Sequence, residues 1–269
     1  MDVADGGLSI GGTVAYAGKA ALLLGSSLGV VTAGDPAHRE KVLRVLEGAD
    51  VRWLQSERST TYRNTYTGSG RRQEVLSLAR PISVEDIPAP WFGAPIVHLG
   101  PLTGEVSAET VHQVGPGALV GVTPQGWMRS VGRDGVVARR VWEEYATILD
   151  RADVLVFSEE DVNGPQEVLR YARAARLAIV TKGARGADLH LDGGVTSFPA
   201  YPAVEIEPTG AGDVFAAAFL LEYLRTGSPA QACRFACAAG SFVVEGPFVG
   251  GMKGDDQVRR RMAGMPADS

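Results

Sequence analysis

Cysteine is scarce in this sequence: Cys233 and Cys237 are the two cysteines among 269 residues. They are spaced i, i+4 on an apolar helical stretch, and no second pair of Cys or His stands close to them along the chain. We therefore interpret them as buried core thiols rather than as a metal or redox site. Such sparse use of cysteine is typical of proteins in a reducing cytoplasm.

Long hydrophobic runs and an excess of positive charge are also missing. No stretch reaches the ~18 apolar residues that a membrane-spanning helix needs, and the acidic opening MDVAD lacks the apolar core of a signal peptide. The formal net charge is −5, which disfavours binding to nucleic acid or to an anionic membrane. We expect a cytoplasmic protein whose partner is a small molecule.

The order of apolar and amphipathic segments predicts an α/β fold. Hydrophobic residues make up 45% of the chain and charged residues 21%, as in ordinary globular proteins. Short strand-like runs alternate with amphipathic helices, which indicates a mainly parallel sheet covered on both faces, a three-layer α/β/α arrangement. Strands are predicted at residues 29–33, 96–99, 118–122, 154–157 and 177–181, helices at 14–24, 37–48, 142–150, 166–175, 213–225, 229–245 and 255–263, and a β-meander at 187–198.

Residues 51–80 depart from this alternation. The segment is rich in Thr and Tyr, which favour strands, and Gly68-Ser69-Gly70 marks a turn between two strand-like runs. We predict a hairpin over residues 60–80. Residues 1–50 and 81–269 would then form one α/β domain, into which a small β lid, residues 51–80, is inserted.

The strongest functional signal is the sequence EPTGAGDVF at residues 207–215, which leads into a helix of small residues. Gly210 and Gly212 let the backbone approach a ligand closely, because neither carries a Cβ atom. The N–H groups of Ala211, Gly212 and Asp213 at the helix start suit an anion such as a transferring phosphoryl group. Asp213 in the same turn is placed to accept the proton of an attacking hydroxyl.

Taken alone, these residues also fit a purely structural interpretation. An aspartate at a helix start is favoured by the helix dipole, and Gly-Ala-Gly is compatible with a simple turn. The dinucleotide fingerprint GxGxxG is incomplete, because Phe215 stands where the third glycine belongs. This argues against a nicotinamide-dependent dehydrogenase.

The sequence PTGAGD followed by a helix of small residues resembles the C-terminal signature of the ribokinase-like (PfkB) carbohydrate kinases. Gly11 and Gly12 resemble the substrate-side signature of that family, residues 181–186 its TxGxxG nucleotide loop, and residues 60–80 its lid. The resemblance implies a three-layer α/β/α ribokinase-like fold with a β-hairpin lid, and ATP and Mg²⁺ as cofactors. It also implies Asp213 as catalytic base, with Gly210, Ala211 and Gly212 forming the anion hole.

Binding roles follow from the same resemblance. For Arg63, a substrate contact and a solvated surface position are equally favoured, and Arg129 is a modest candidate for contacting a phosphate. A homodimer formed through the lid is a further expectation. The residues expected to bind ATP are Thr181, Gly183, Gly186, Thr209 and Ser158; those expected to bind the substrate are Asp2, Gly11, Gly12, Tyr16 and Arg63; and Asp161 is expected to bind Mg²⁺ through water.

Three positions depart from the family pattern. Glu207 replaces the usual Asp two residues before Thr209, which keeps the charge but moves it. The family's NxxE motif is represented by Ser158 to Asp161, so an amide is lost while a carboxylate remains. Tyr16 stands where the family usually has Asn, so one substrate hydrogen bond of the sugar kinases is expected to be missing.

The resemblance implies transfer of the ATP γ-phosphoryl group to a hydroxyl of a small polyol, sugar or nucleoside. The lid sequence resembles that of the plant myo-inositol kinase branch, whereas Tyr16 and Tyr62 would allow stacking on the base of a nucleoside. The alternative from another class is a non-catalytic ligand-binding protein of the same fold. The missing NxxE motif and the unusual N-terminus favour that alternative, and the intact Gly-Ala-Gly-Asp opposes it.

The start of the sequence generates a last expectation. Chains of the resembled family open with an apolar strand of the central sheet that ends near a substrate-binding aspartate, and no strand is predicted here before Gly11. We expect that this strand is missing and that Asp2, or less favourably Asp5, is the substrate-binding aspartate. An apolar run encoded upstream would support this expectation, because an inner strand satisfies backbone groups on both sides.

Overall fold

The computed structural model describes residues 1–4, 7–67 and 70–264. Its strands are β1 (Asp2–Ala4), β2 (Gly7–Ser9), β3 (Gly29–Gly34), β4 (Asp50–Gln55), β5 (Thr61–Thr67), β6 (Gly70–Ser77), β7 (Ile96–Leu99), β8 (Leu119–Val122), β9 (Arg129–Val131), β10 (Val137–Arg139), β11 (Val154–Ser158), β12 (Leu177–Thr181), β13 (Ala187–Leu191) and β14 (Gly194–Phe198). Its α-helices are α1 (Thr13–Leu23), α2 (Pro36–Val45), α3 (Tyr145–Arg151), α4 (Pro165–Ala174), α5 (Ala211–Thr226), α6 (Pro229–Val243) and α7 (Asp255–Ala263).

The main sheet has six strands in the order β14-β13-β12-β11-β8-β7. Strands β7, β8, β11 and β12 run parallel, and β13 and β14 add an antiparallel meander at one edge. Side chains alternate between the faces: Val154 and Val156 pack with α5 and α6, and Leu155 and Phe157 pack with α3 and α4. The predicted three-layer α/β/α fold is confirmed.

A second sheet has the strand order β2-β1-β5-β6 and contains the hairpin predicted as a lid, so we call it the lid sheet. Its hairpin lies within the predicted residues 60–80, but β4 pairs with β3 in a separate two-stranded sheet, so residues 51–55 are not part of the lid sheet. The expectation that no strand precedes Gly11 is wrong, because β1 and β2 precede it and β1 pairs in parallel with β5. Strands of three residues are too short to show a side-chain period in the sequence.

A hairpin of β9 and β10 was not predicted from the sequence. Its tip is bonded to the lid, because the N–H of Val75 on β6 donates to the carbonyl of Gly135 at 2.8 Å. Gly135 has φ of 81°, and a Cβ atom there would lie 2.8 Å from the Val75 carbonyl oxygen. Glycine is therefore required at this contact, where two backbones meet.

A buried carboxylate anchors the far end of α5. The side chain of Glu222 is 1% exposed and forms ion pairs with Arg225 and, at 2.8 Å, with Arg259 on α7. Gln231 on α6 donates to the same carboxylate at 2.9 Å. Three C-terminal helices are thus joined at one point, as a buried charge requires several partners to offset its desolvation. Among the described residues, no helix combines the length and apolar character needed to cross a membrane.

A cleft of about 720 Å³ separates the β3–β4 pair from the edge strand β7 of the main sheet. The N–H groups of Asp50 and Ser56 donate to the carbonyls of Leu28 and Gly34 at 2.8 and 2.9 Å, so the even-numbered residues of β3 face β4. On the other side of the cleft, the N–H groups of Leu119 and Thr123 donate to the carbonyls of residues 95 and 99. The backbone groups of the odd-numbered residues of β7 therefore face β8. The remaining backbone groups of β3 and β7 therefore point into the cleft.

This geometry predicts an alternating pattern of amide hydrogen exchange. The amides of Val31, Ile96 and His98 face the cleft and have no backbone acceptor among the described residues, so they should exchange much faster than those of Val30 and Val97. Residue-resolved exchange measured by NMR checks this, with the five amides compared in one sample. Equal protection of neighbouring residues would mean that another segment pairs with these edges in solution.

Candidate active site

The candidate site lies at the carboxyl ends of the parallel strands. Ser158 ends β11 and Thr181 ends β12, and the two are direct partners in the strand register. The segment after β7 meets the segment after β8, because the N–H of Gly126 donates to the carbonyl of Pro101 at 2.9 Å. Open α/β sheets bind ligands at this edge, which is where the sequence placed Ser158 and Thr181.

The amino terminus of α5 forms the floor of the site. Gly210 caps the helix in the left-handed conformation, with φ of 83°, and a Cβ atom there would lie 2.1 Å from the Tyr16 ring. The N–H of Ala211 donates to the Pro208 carbonyl at 3.3 Å, whereas those of Gly212 and Asp213 have no carbonyl partner among the described residues. Two backbone donors therefore remain for an anion at this helix end.

Asp213 lies in the first turn of α5, and its carboxylate accepts a hydrogen bond from the side chain of Thr13 on α1. Burial raises the pKa of Asp213 to about 6, and the bond from Thr13 and the positive charge of Arg129 oppose this shift. The negative charges of Asp2 and Asp161 raise the pKa further. A carboxylate that titrates near neutral pH is suited to accept a proton and release it again.

Asp2 faces the site from the lid sheet. Its carboxylate covers Gly11, since a Cβ atom at Gly11 would lie 1.5 Å from Oδ2 of Asp2. Gly12 caps α1 with φ of 83° and is covered by the side chain of Leu102. The predicted residues Asp2, Gly11 and Gly12 are thus brought together. They lie near Asp213, because Thr13, which directly follows Gly12, donates a hydrogen bond to the Asp213 carboxylate.

The loop after β12 is held in one conformation by its glycines and two ion pairs. Gly183 and Gly186 have φ of 55° and 90°, and a Cβ atom at Gly186 would lie 1.9 Å from the Phe198 carbonyl oxygen. Nζ of Lys182 lies 2.7 Å from the carboxylate of Asp188, and Arg185 forms an ion pair with Glu159. Thr181 and Gly183 thus lie on a rigid loop beside Ser158, as a nucleotide-binding loop requires.

Ser158 and Asp161 form a capping box at the end of β11. The N–H of Ser158 donates to the Asp161 carboxylate at 3.0 Å, and the Ser158 hydroxyl accepts from the Glu160 amide at 3.1 Å. Nε2 of Gln125 donates to the other carboxylate oxygen at 3.2 Å. Among residues 1–4, 7–67 and 70–264, no group of three or more His, Cys, Asp and Glu side chains could hold a metal ion.

Tyr16, Arg63, Glu207 and Thr209 lie in different surroundings. Tyr16 is 1% exposed and its ring lies against Gly210 in the core, so it supports the loop beneath the anion hole. Arg63 points along the lid to Glu74, at 3.7 Å, with half of its side chain exposed. Glu207 accepts from the Phe248 amide at 3.0 Å and thereby holds a neighbouring loop. Thr209 lies directly before Gly210, at the entrance to α5.

The sequence did not single out Thr13, and it assigned Arg129 only a modest role in contacting phosphate. Both act on Asp213, Thr13 through a hydrogen bond and Arg129 through its charge. Thr13 follows the Gly11-Gly12 pair directly, so a polar residue at the start of α1 was a usable signal. Arg129 is about 80 residues from Asp213 along the chain, and only the fold brings the two together.

The part of the chain that contains the start of α5 and the loop after β12, residues 127–251, matches the model of the pfkB family carbohydrate kinases. The chain is 26% identical over 233 residues to a cytidine kinase of Thermococcus kodakarensis, with 83% of each protein covered. Its identity to an inositol 3-kinase of Zea mays is 35% over 121 residues, which are 44% of this chain and 31% of that protein.

A solved structure of a pyrophosphate-dependent kinase in the ribokinase family, complexed with a pyrophosphate analog and myo-inositol, has a TM-score of 0.78 at 25% identity. The match covers 91% of this chain and 92% of that one. This chain has the fold of the ribokinase-family kinases. The ribokinase of Arabidopsis thaliana, solved with ribose and ATP, shares the fold with a TM-score of 0.73 at 20% identity. The match covers 96% of this chain and 92% of that ribokinase.

The close approach of Gly210 to Tyr16 predicts a sharp difference between the two ends of α5. Gly210→Ala places a methyl group 2.1 Å from a ring atom and strains φ, so it should unseat the anion hole and lower the turnover rate of the kinase at least tenfold. Gly227→Ala at the other end, with φ of 65° and open space around its Cβ position, costs about 1 kcal/mol of strain alone. Steady-state kinetics and melting temperatures of both variants check this.

The raised pKa of Asp213 predicts a gain in stability when its charge is removed. Because the folded carboxylate titrates near 6 instead of 3.8, the folded kinase binds more protons than the unfolded chain in that interval, and the free energy of unfolding falls as the pH rises through it. Asp213→Asn should raise the melting temperature at pH 7.5 by about 2–6 °C and leave it unchanged at the lowest accessible pH. Calorimetry at both pH values measures the difference.

Asp188 supplies a control of opposite sign. Burial acts to raise its pKa, but hydrogen bonds from Lys182 and Ser197 and the Lys182 charge outweigh burial and lower it. Asp188→Asn should therefore reduce the melting temperature at pH 7.5. A fall in melting temperature for Asp213→Asn as well would show that the Asp213 carboxylate is stabilised in the fold and that its pKa is not raised.

Proposed function

We propose that this kinase transfers the γ-phosphoryl group of ATP to a hydroxyl of a small polyol, sugar or nucleoside, with Asp213 as the catalytic base. The observation that carries the proposal is the position of the Asp213 carboxylate. It lies in the first turn of α5, beside two unused backbone amides, and burial raises its pKa to about 6. A proton acceptor and an anion-binding site thus occupy one helix end.

The chemistry requires two tasks from these residues. Asp213 is mostly ionised at neutral pH and takes the proton of the acceptor hydroxyl as that oxygen attacks the phosphorus atom. The N–H groups of Gly212 and Asp213, together with the positive end of α5, balance the negative charge on the transferring group. Gly210 fixes the direction of these amides, because its left-handed conformation starts the helix at this point.

The donor nucleotide is proposed to lie along the ends of β11 and β12. Thr181, Gly183 and Gly186 form one side of this site, and Ser158 and Thr209 flank it. Mg²⁺ would supply neutralisation of the phosphate charge. Both oxygens of Asp161 already accept hydrogen bonds, so this carboxylate fits an ion held chiefly by phosphates and water, with Asp161 as a ligand of its water.

The acceptor is proposed to bind between Asp2, the Gly11–Gly12 backbone and the lid. A carboxylate that faces the site accepts hydrogen bonds from neighbouring hydroxyls of a polyol. The nucleoside alternative was based on stacking of Tyr16 and Tyr62 on a base. Tyr16, however, is 1% exposed and packs against Gly210, and Tyr62 is 4% exposed and donates a hydrogen bond to the Leu102 carbonyl. This favours a polyol or sugar over a nucleoside.

A homodimer through the lid stays a prediction. Leu8, Leu76 and Leu78, in and directly after the strands of the lid sheet, are between 39% and 49% exposed, which is compatible with a contact surface there.

A coupled assay of phosphoryl transfer tests the function. Inositols, sugars and nucleosides are screened as acceptors, with ATP and pyrophosphate as donors, since a structural relative is pyrophosphate-dependent. We expect turnover with ATP and a polyol or sugar, and a loss of kcat on the order of 10²–10⁴ in Asp213→Asn. Asp192→Asn removes the same charge from an exposed turn where φ is 51°, a conformation that Asn accepts, and should keep full activity.

Two results would contradict the proposal. Near wild-type turnover by Asp213→Asn would require another base. Binding of an acceptor without turnover from either donor would favour the non-catalytic alternative.

A further inference from the structure

The root of the β9–β10 hairpin is fixed in the core of the kinase. Trp127 and Met128, directly before β9, are 3% and 1% exposed. The indole of Trp127 stacks on Trp142, with ring centroids 5.9 Å apart, and its N–H donates to the Val106 carbonyl at 2.9 Å. The backbone of Arg129, the next residue, therefore starts from a rigid point. Its side chain is the part of the hairpin that reaches the site.

The guanidinium of Arg129 contacts the lid. It is hydrogen bonded to the Tyr62 hydroxyl on β5, and that hydroxyl donates its own proton to the Leu102 carbonyl at 2.7 Å. Because a guanidinium only donates, the Tyr62 oxygen is the acceptor in this bond. Burial, as the largest cause, raises the pKa of Tyr62 to about 12, so the phenol stays protonated. Arg129 is thereby bonded to a lid strand through a neutral hydroxyl.

The same guanidinium acts on the base. The charges that act on Asp213 come from three elements: Arg129 on β9, Asp2 on β1 of the lid sheet and Asp161 after β11. Two of these charges are negative, and Arg129 is the positive one among them. Asp2 also acts on Tyr62, so lid, hairpin and helix α5 meet within one electrostatic cluster. The hairpin tip is joined to β6 of the lid through Val75 and Gly135 at 2.8 Å.

We propose that Arg129 is a positioning residue that couples the closed lid to the ionised state of the Asp213 carboxylate, a role that rests on the proposed function of Asp213. Its bond to Tyr62 holds β5 over the acceptor site. Its charge offsets those of Asp2 and Asp161, which would otherwise favour a protonated base. Lid and base thus both interact with one side chain, and a displaced lid would carry Tyr62 away from Arg129 and leave the guanidinium free to move away from Asp213.

Three variants distinguish the two tasks of Arg129, which are the bond to Tyr62 on the lid sheet and the effect of its charge on Asp213. Arg129→Gln removes both, and the acidic limb of the pH profile of kcat/KM should move upward by on the order of one unit, with faster hydrogen exchange in Thr61–Thr67. Tyr62→Phe keeps the Arg129 charge but removes the hydroxyl that bonds to Arg129 and Leu102, so exchange should rise and the acidic limb should move upward less than in Arg129→Gln. Arg129→Lys keeps the charge without the fixed guanidinium geometry, so its acidic limb should stay closer to wild type than that of Arg129→Gln.

Arg133→Gln is the matched control, because it removes the same charge at the exposed tip of the same hairpin. It should leave both readouts unchanged. The proposal is overturned if Arg129→Gln, folded as judged by its melting temperature, keeps the wild-type acidic limb, or if Arg133→Gln shifts it equally. Failure of the proposed function is distinguished by Asp213→Asn: if that variant is active, the base is misassigned, whatever Arg129 does.

Discussion

The structure depends on the contact of Gly210 with Tyr16, where α5 begins against α1. With φ of 83° and no Cβ atom, Gly210 lets the aromatic ring fill the space where a side chain would stand. This contact aligns the amino termini of two helices, so Thr13 at the start of α1 reaches Asp213 at the start of α5. Tyr16, where the resembled family usually has Asn, thus packs against the start of α5. The ion pairs of Glu222 hold the other end of the same helix.

Electrostatics determine what the assembled site can do. Burial is the largest cause that raises the pKa of Asp213, and the negative charges of Asp2 and Asp161 raise it further. The Thr13 hydrogen bond and the Arg129 guanidinium oppose that tendency, and the result is a carboxylate that titrates near neutral pH. Asp161 is further restrained by Ser158 and Gln125. The departure from the NxxE pattern therefore leaves a carboxylate, that of Asp161, in place. This carboxylate accepts a hydrogen bond from the backbone N–H of Ser158 in the same segment.

The main sheet and the lid sheet differ in how they are held in the fold. The main sheet and its helices bury continuous apolar clusters on both faces. The contacts of the lid sheet with the rest of the fold include the hydrogen bonds of Val75 and Tyr62. Small sheets with little buried apolar area are marginally stable alone. The β3–β4 pair is likewise separated from β7 by the cleft, so packing of α1 and α2, rather than strand pairing, holds it in place.

The sequence by itself determined the fold class and located the motif that we propose to be catalytic, because both depend on local patterns. Alternating apolar segments specify strands and helices, and Gly-Ala-Gly-Asp before a helix contains its own chemistry. The tertiary structure decided what depends on distant residues. It placed Tyr16 in the core, turned Arg63 toward Glu74, moved residues 51–55 out of the lid sheet and brought Arg129 to Tyr62 and Asp213. A side chain's partner and the pKa that results are set by residues far apart in the chain, which no local pattern records.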